Sequence, residues 1–408
     1  MKYYKHFKKT QNNKTTILLM ILLIALFSII SPLQTFCANE KVFQLSEDLN
    51  SSVIEELQEI DFSGFNEVID EFNEKETNIF SIENIKNKVY SIISGESAIN
   101  YSNFFASLFS NLIEMVIKYL PVISLIIAIG VISNLLQGIK SKFNEKSTSD
   151  IINLVCFLSV AVLIIGMVSK IASSTGNAIN SMVKQMNILF PILLTLMTGL
   201  GATASVGVFK PVVAIISTYV ADFFNYFIVP LFMLSFVFGI ISNMSNNVKL
   251  DKFNSFISSL FKWSVGLIFT LFFAIFSIQG IAVSKFDSLS IRTTKYTIKS
   301  YIPIMGGYLS DGMDLILSST LLIKNSLGLV GVLMIISTIL SPLLEIVVFS
   351  LMIKLVSAVL QPLGNNKTSN FLSSTAKSIT MLSTAIIAIG FMYLLSIGLV
   401  MTTSNVVM

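Results

Sequence analysis

The chain has 408 residues, of which 53% are hydrophobic and only 12% charged, and its mean hydropathy is +0.79. Soluble domains carry roughly 25% charged residues, so this composition excludes an ordinary soluble globule and implies a membrane protein. A net charge of +4 hides an asymmetry: residues 1–38 hold five lysines and no acid, whereas residues 39–100 hold fourteen acids and four bases. The two cysteines, Cys37 and Cys156, are too few for a disulfide framework, and a lone histidine, His6, rules out a histidine triad or a histidine metal site.

The first 38 residues have the order of a secretory signal peptide. Lys2, Lys5, Lys8, Lys9 and Lys14 precede an apolar run from Ile17 to Ile30, then Phe36-Cys37-Ala38. Cleavage after Cys37 or Ala38 and an uncleaved signal anchor are both compatible with this pattern. Either one puts residue 39 onward outside the cytosol.

Residues 39–104 form an acidic segment with helical periodicity. Leu45, Leu49, Val53, Leu57 and Ile60 recur at helical spacing, as do Ile82, Ile85, Val89 and Ile92. Between these stripes lie Phe62, Phe65, Val68, Ile69 and Phe72, with Asp61 and Ser63 as candidate caps. The segment reads as a small exported helical domain. It serves either as a docking surface for other exported domains or as a solvated spacer.

From residue 105 onward the chain reads as helices in a bilayer. Clear spans run from Tyr119 to Ile139, Ile151 to Val168, Asn187 to Val208, Ser264 to Val283 and Met381 to Met401. The stretches Pro211 to Ser245 and Asn325 to Gln361 are too long for one crossing of a ~30 Å hydrocarbon core, so each is expected to fold back at its proline, Pro230 or Pro342. The expected fold class is all-α, a polytopic membrane protein of about 8–10 transmembrane helices with an internal repeat.

The repeat is carried by Phe190-Pro191-Ile192 against Ile302-Pro303-Ile304, and Pro230-Leu231 against Pro342-Leu343. Beyond the second proline, Ser242, Phe256 and Lys262 meet Ser357, Phe371 and Lys377. The divisions are a first hairpin over 105–186, one copy over 187–285 and a second over 286–408. With the acidic segment outside, ten spans place Lys140, Lys142, Lys146, Lys210, Lys249, Lys252, Lys262, Lys324, Lys367 and Lys377 in the cytoplasm, the expected sign of the charge bias. The basic stretch from Lys285 to Lys299 is the exception, and outside it would oppose the acidic segment.

No phosphate-binding loop, HExxH, nucleophile elbow or paired CxxC occurs, so no enzymatic activity and no cofactor is expected. The segment Tyr301-Ile-Pro-Ile-Met-Gly-Gly-Tyr-Leu-Ser-Asp-Gly-Met-Asp314 stands out because it carries acids where the first copy is apolar. An acid facing lipid is costly, so Gly306, Gly307, Asp311, Asp314, Lys324 and Asn325 are candidates to line a pore or cavity. The alternative is an interfacial re-entrant segment. Gly199, Gly201, Ser205 and Gly207 have the spacing of close helix packing. Asp222 is a candidate coupling-ion carboxylate. Glu345 and Lys354, nine residues apart, do not share a helix face.

The same Tyr301–Asp314 segment, the run Leu322-Ile-Lys-Asn-Ser-Leu-Gly328, and Gly199-Leu-Gly-Ala-Thr-Ala-Ser-Val-Gly207 with Pro211 resemble the stage III sporulation protein AE family of endospore-forming Firmicutes. That resemblance implies a multipass protein of the mother-cell membrane around the forespore. It implies a subunit of a secretion-like channel complex needed for late forespore sigma factor G activity. The implied partners are other stage III sporulation membrane proteins, including an ATPase companion, and a forespore-membrane protein in the intermembrane space. Beyond these, the lipid bilayer is expected as a partner and nucleic acid is not. The competing readings are an ion-coupled secondary transporter built on the repeat, and a scaffold without a lumen.

Overall fold

In the computed structural model, residues 47–65, 85–95, 101–140, 146–244, 250–282, 293, 306–363 and 366–403 are described. The expected signal peptide, Cys37 and the stretch from Lys285 to Lys299 apart from Thr293 lie outside them. Two short helices come first, α1 (Glu47–Glu59) and α2 (Ile85–Ile93). Six long ones follow: α3 (Tyr101–Lys140), α4 (Lys146–Gly199), α5 (Thr203–Met244), α6 (Asp251–Ala282), α7 (Gly306–Leu360) and α8 (Asn366–Thr403). Each of the six is long and apolar enough to cross a membrane.

The eight to ten short spans merge into these six because neither Pro230 and Pro342 nor the polar stretches 169–186 and Lys324-Asn325 break the helices. Pro342 lies inside α7, a single helix of 55 residues and therefore about 83 Å long. Pro230 lies inside α5, which reaches it through two π-helical stretches, Ile216–Val220 and Phe224–Ile228. The wider turn just before Pro230 relieves the clash that a proline ring makes with the carbonyl four residues earlier. The break falls elsewhere. Inside the expected span 187–208, α4 ends at Gly199, and Gly201 takes a φ of 77°, a left-handed turn that suits glycine.

The long helices therefore extend well past the apolar runs that define them in the sequence. Lys210, Lys262, Lys324 and Lys377, expected in loops, lie inside α5, α6, α7 and α8. The connections α3–α4, α5–α6 and α7–α8 still fall at one end of the bundle. There Phe157 and Phe236 pack on Phe371, and a Cβ at Gly130 would overlap Leu360. By sequence, those connections and their flanks carry Lys140, Lys142, Lys146, Lys249, Lys252 and Lys367.

α7 is the axis of the fold. Of its apolar stretch 67% is buried, and α3, α4 and α8 all pack on it. Tyr119 and Phe349 have ring centroids 5.2 Å apart at the α3 contact. Gln185 Nε2 donates to Thr338 Oγ1 at 2.7 Å from α4. Ser357 Oγ donates to the Ser369 carbonyl at 2.8 Å across the hairpin with α8. The α5–α6 hairpin is tied in a similar way, with Ser235 Oγ donating to Asn254 Oδ1 at 2.6 Å.

Candidate functional site

Helix α1 lies on the amino-terminal part of α7, at the end opposite the lysine-bearing connections. The helix is amphipathic: Val53 and Leu57 are buried one turn apart, while Glu55 and Glu59 are exposed. A polar seam joins the two helices. Ser52 Oγ donates to Ser319 Oγ at 3.1 Å, and Thr320 Oγ1 donates to Glu56 Oε1 at 2.6 Å. A spacing of four puts Ser52 and Glu56 on one face of α1, which meets the neighbouring residues Ser319 and Thr320 of α7. Next to this seam, Asp61 accepts the Ser63 amide at 2.9 Å, capping a short turn of helix. That bond holds the Asp61 carboxyl below the usual aspartate range.

The residues expected to line a cavity begin here. Gly306, Gly307 and Asp311 lie in the first turns of α7, which is continuous from Gly306. Asp314 is half-buried, and its backbone carbonyl accepts Ser318 Oγ at 2.7 Å. Lys324 is completely buried between α7 and α8, with Nζ donating to the Met401 carbonyl at 2.8 Å. A cation on the last carbonyls of a helix also complements its dipole. Asn325 is half-buried beside it. Of the four expected packing residues, Ser205 is buried and Gly199 faces Thr320, its would-be Cβ 3.8 Å from Thr320 Cγ2. Gly201 forms the turn, and Gly207 faces open space.

A second polar centre escaped the sequence reading. Glu345, 6% exposed, accepts Tyr119 OH at 2.6 Å and pairs with Lys118 Nζ at 3.1 Å. It is held by α3, not by Lys354, which is exposed further along α7. Glu345 stands out in the sequence as a lone acid in an apolar run, but its partners Lys118 and Tyr119 lie far away along the chain.

The third polar region faces outward. On α4, Lys170, Ser173, Asn177, Asn180, Lys184 and Asn187 are all exposed and alternate in spacings of three and four. One helix face therefore stays polar for almost five turns. Asn225 of α5 donates to Asn180 Oδ1 at 2.7 Å. Asp222, expected as a coupling-ion ligand, is exposed between the two π-helical stretches. A groove of about 400 Å³ continues this face between α4 and α5, lined by Asn187, Pro191, Thr195 and Lys210 among others.

Among the described residues no group of His, Cys, Asp and Glu side chains is arranged to hold a metal ion. Long apolar helices around a buried axial helix, with polar contacts between helices and none arranged for metal binding, define an all-α polytopic membrane protein. Residues 83–404 match the family described as stage III sporulation protein AE, and the chain belongs to that family. A relative named stage III sporulation protein AE, from Bacillus subtilis (strain 168), is 24% identical over 326 residues, covering 80% of this chain and 82% of the relative. No solved structure matches. The family bears out the resemblance carried by Tyr301–Asp314 and Leu322–Gly328, and it gives the chain a role in sporulation.

Proposed function

We propose that this chain is a multipass subunit of a sporulation-specific, secretion-like channel complex between mother cell and forespore, required for late forespore sigma factor G activity. Its membrane is the mother-cell membrane around the forespore. Its acidic segment lies in the intermembrane space, where it meets a forespore-membrane partner. The other partners are stage III sporulation membrane proteins, among them the ATPase companion that supplies the energy, so the chain itself needs no catalytic group.

The observation that carries this reading is the α1–α7 seam. An acidic, amphipathic helix is held through Glu56 and Thr320 at the end of the bundle away from the lysine-bearing connections. Lysine connections favour the cytoplasmic side. With that orientation the acidic helix sits outside as a collar around the start of α7, where Asp311 and Asp314 enter the bundle and would line the conduit. A transporter gains less support. Glu345 is already engaged by Lys118 and Tyr119, and Asp222 lies on the outer surface.

Deleting the gene should leave vegetative growth intact, arrest spores after engulfment and silence a sigma factor G reporter in the forespore. A strong vegetative defect would sink the assignment. For sidedness, cysteines placed at Lys249 and Lys367 should be shielded from an impermeant thiol reagent added outside, while Ser51→Cys on the exposed face of α1 should label. The reverse pattern would invert the orientation.

A further inference from the structure

The α5–α6 and α7–α8 hairpins are tied alike near the lysine-bearing connections. Ser235 Oγ of α5 donates to Asn254 Oδ1 of α6 at 2.6 Å, and Ser350 Oγ of α7 donates to the Ala376 carbonyl of α8 at 3.1 Å. Ser350 stands 115 residues after Ser235, as Phe371 and Lys377 stand after Phe256 and Lys262. The two hairpins also touch each other. Phe236 of α5 packs on Phe371 of α8 with ring centroids 6.5 Å apart, and both rings are buried. That contact joins the first helix of one hairpin to the second helix of the other.

At the same spacing, Leu351 of α7 stands where Phe236 stands in α5, and Phe256 of α6 stands where Phe371 stands in α8. Both halves of the contact therefore occur a second time, but on the surface. Leu351 is 60% exposed and Phe256 62%, against 2% for Phe236 and 0% for Phe371. Each belongs to a wider apolar stripe. Leu355 and Val359 follow Leu351 at helical spacing on α7, and Phe253 flanks Phe256 on α6, all of them exposed. The two stripes also share a level. Asn254 is bonded to Ser235, the neighbour of Phe236, which puts Phe256 about one turn from the Phe236–Phe371 contact. Ser350 is bonded to Ala376, little more than a turn along α8 from Phe371, which puts Leu351 within about two turns of it.

We propose that these two faces dock on each other between copies of this chain. The Leu351 stripe of one copy packs on Phe256 of the next, as Phe236 packs on Phe371 within a single copy. The joint is head-to-tail, because each copy offers a different face on each side. Copies joined in this way add in one direction and close into a ring when the rotation per copy allows. A rotation axis along the membrane normal keeps both faces at their shared level. Close apolar packing between helices is what drives such association in a bilayer. The contact inside the chain shows that these two kinds of helix face fit each other, which surfaces meeting only lipid need not do. The inference rests on the two hairpins alone and uses neither the sporulation assignment nor the sidedness of the chain.

The test uses the full chain with Cys37→Ser and Cys156→Ser, reconstituted in lipid vesicles and oxidised with copper phenanthroline. Phe256→Cys and Leu351→Cys together in one chain should give a ladder of cross-linked oligomers. A mixture of the two single-cysteine chains should stop at dimers, and either chain alone should stay monomeric. No cross-link in the double variant at any protein density would mean that both faces meet lipid, and the proposal would fall. Dimers formed by one single-cysteine chain alone would overturn it as well, since they mark a two-fold contact. A second measurement needs no cysteine. Phe256→Ala should weaken self-association about tenfold by light scattering, while Val162→Ala, at an exposed site on α4, should leave it unchanged. Phe256 is exposed within one copy, so circular dichroism should report the same helical fold. Association indifferent to Phe256→Ala would equally refute the head-to-tail joint.

Discussion

α4 and α7 are nearly the same length, 54 and 55 residues, and both are apolar, yet they occupy opposite places in the protein. Only 28% of the apolar stretch of α4 is buried, against 67% for α7. α7 buries two of its charges and satisfies both from neighbours, Lys324 from the end of α8 and Glu345 from α3. α4 keeps Lys170 and Lys184 on its exposed face and buries Gln185 on the other. Hydrophobicity along a helix thus says little about which helix is the core. What distinguishes the two is whether their polar residues are buried against neighbouring helices or lie on an exposed face.

Truncating a large side chain should separate the two helices most strongly. Phe349 of α7 is fully buried against Tyr119, so Phe349→Ala should cost about 3–5 kcal/mol in a reversible SDS-unfolding titration. Val162 of α4 is 67% exposed, and Val162→Ala should stay within about 0.5 kcal/mol. Equal losses at the two positions would mean that α4 is as much a core helix as α7.

The charge centre of α7 gives the next largest effect. Tyr119→Phe removes a 2.6 Å hydrogen bond to a buried carboxylate and keeps the ring that packs on Phe349. A bond of that kind contributes about 1.5–3 kcal/mol, and the same titration should show a loss in that range. Combined with Glu345→Gln, the loss should shrink, because a neutral amide needs the hydroxyl less. Full additivity would show that Tyr119 acts through packing alone.

Much of the fold was legible in the sequence, and the reason differs from element to element. The periodicity of Val53, Leu57, Val89 and their neighbours gave α1 and α2, because a half-buried helix writes its period into its residues. The six membrane helices were legible as apolar runs, but their ends were not. Their polar continuations, such as 169–186 in α4 and 366–377 in α8, look like loops when the neighbours that cover or accompany them are unknown. Prolines misled for a related reason. Pro230 and Pro342 break a helix only if nothing accommodates the lost bond, and at Pro230 the π-helical stretch does so. The break at Gly199–Ala202 was hidden inside an apolar run whose glycines read equally well as packing residues. Within the candidate site, Lys324 and Glu345 stood out as unusual residues, but their partners came from distant helices. No spacing along one chain reveals that Lys324 meets the Met401 carbonyl or that Glu345 meets Tyr119.

The smallest effect probes a polar tie between α4 and α7. Gln185 is 3% exposed on α4 and donates to Thr338 on α7, while its Oε1 has no hydrogen-bond partner among the described residues. Interhelical hydrogen bonds in membrane proteins average about 0.6 kcal/mol, since the separated helices find other partners in the bilayer. Here the unsatisfied oxygen offsets part of even that gain. A double-mutant cycle of Gln185→Leu and Thr338→Val should therefore give a coupling of about 0.5 kcal/mol, with Gln185→Leu alone close to neutral. A coupling above about 2 kcal/mol would mean that α4 is anchored to α7 by chemistry, not by shape. Its outward polar stripe would then sit on a helix fixed as firmly as the core itself. The expected weak coupling instead leaves α4 held against α7 by apolar packing.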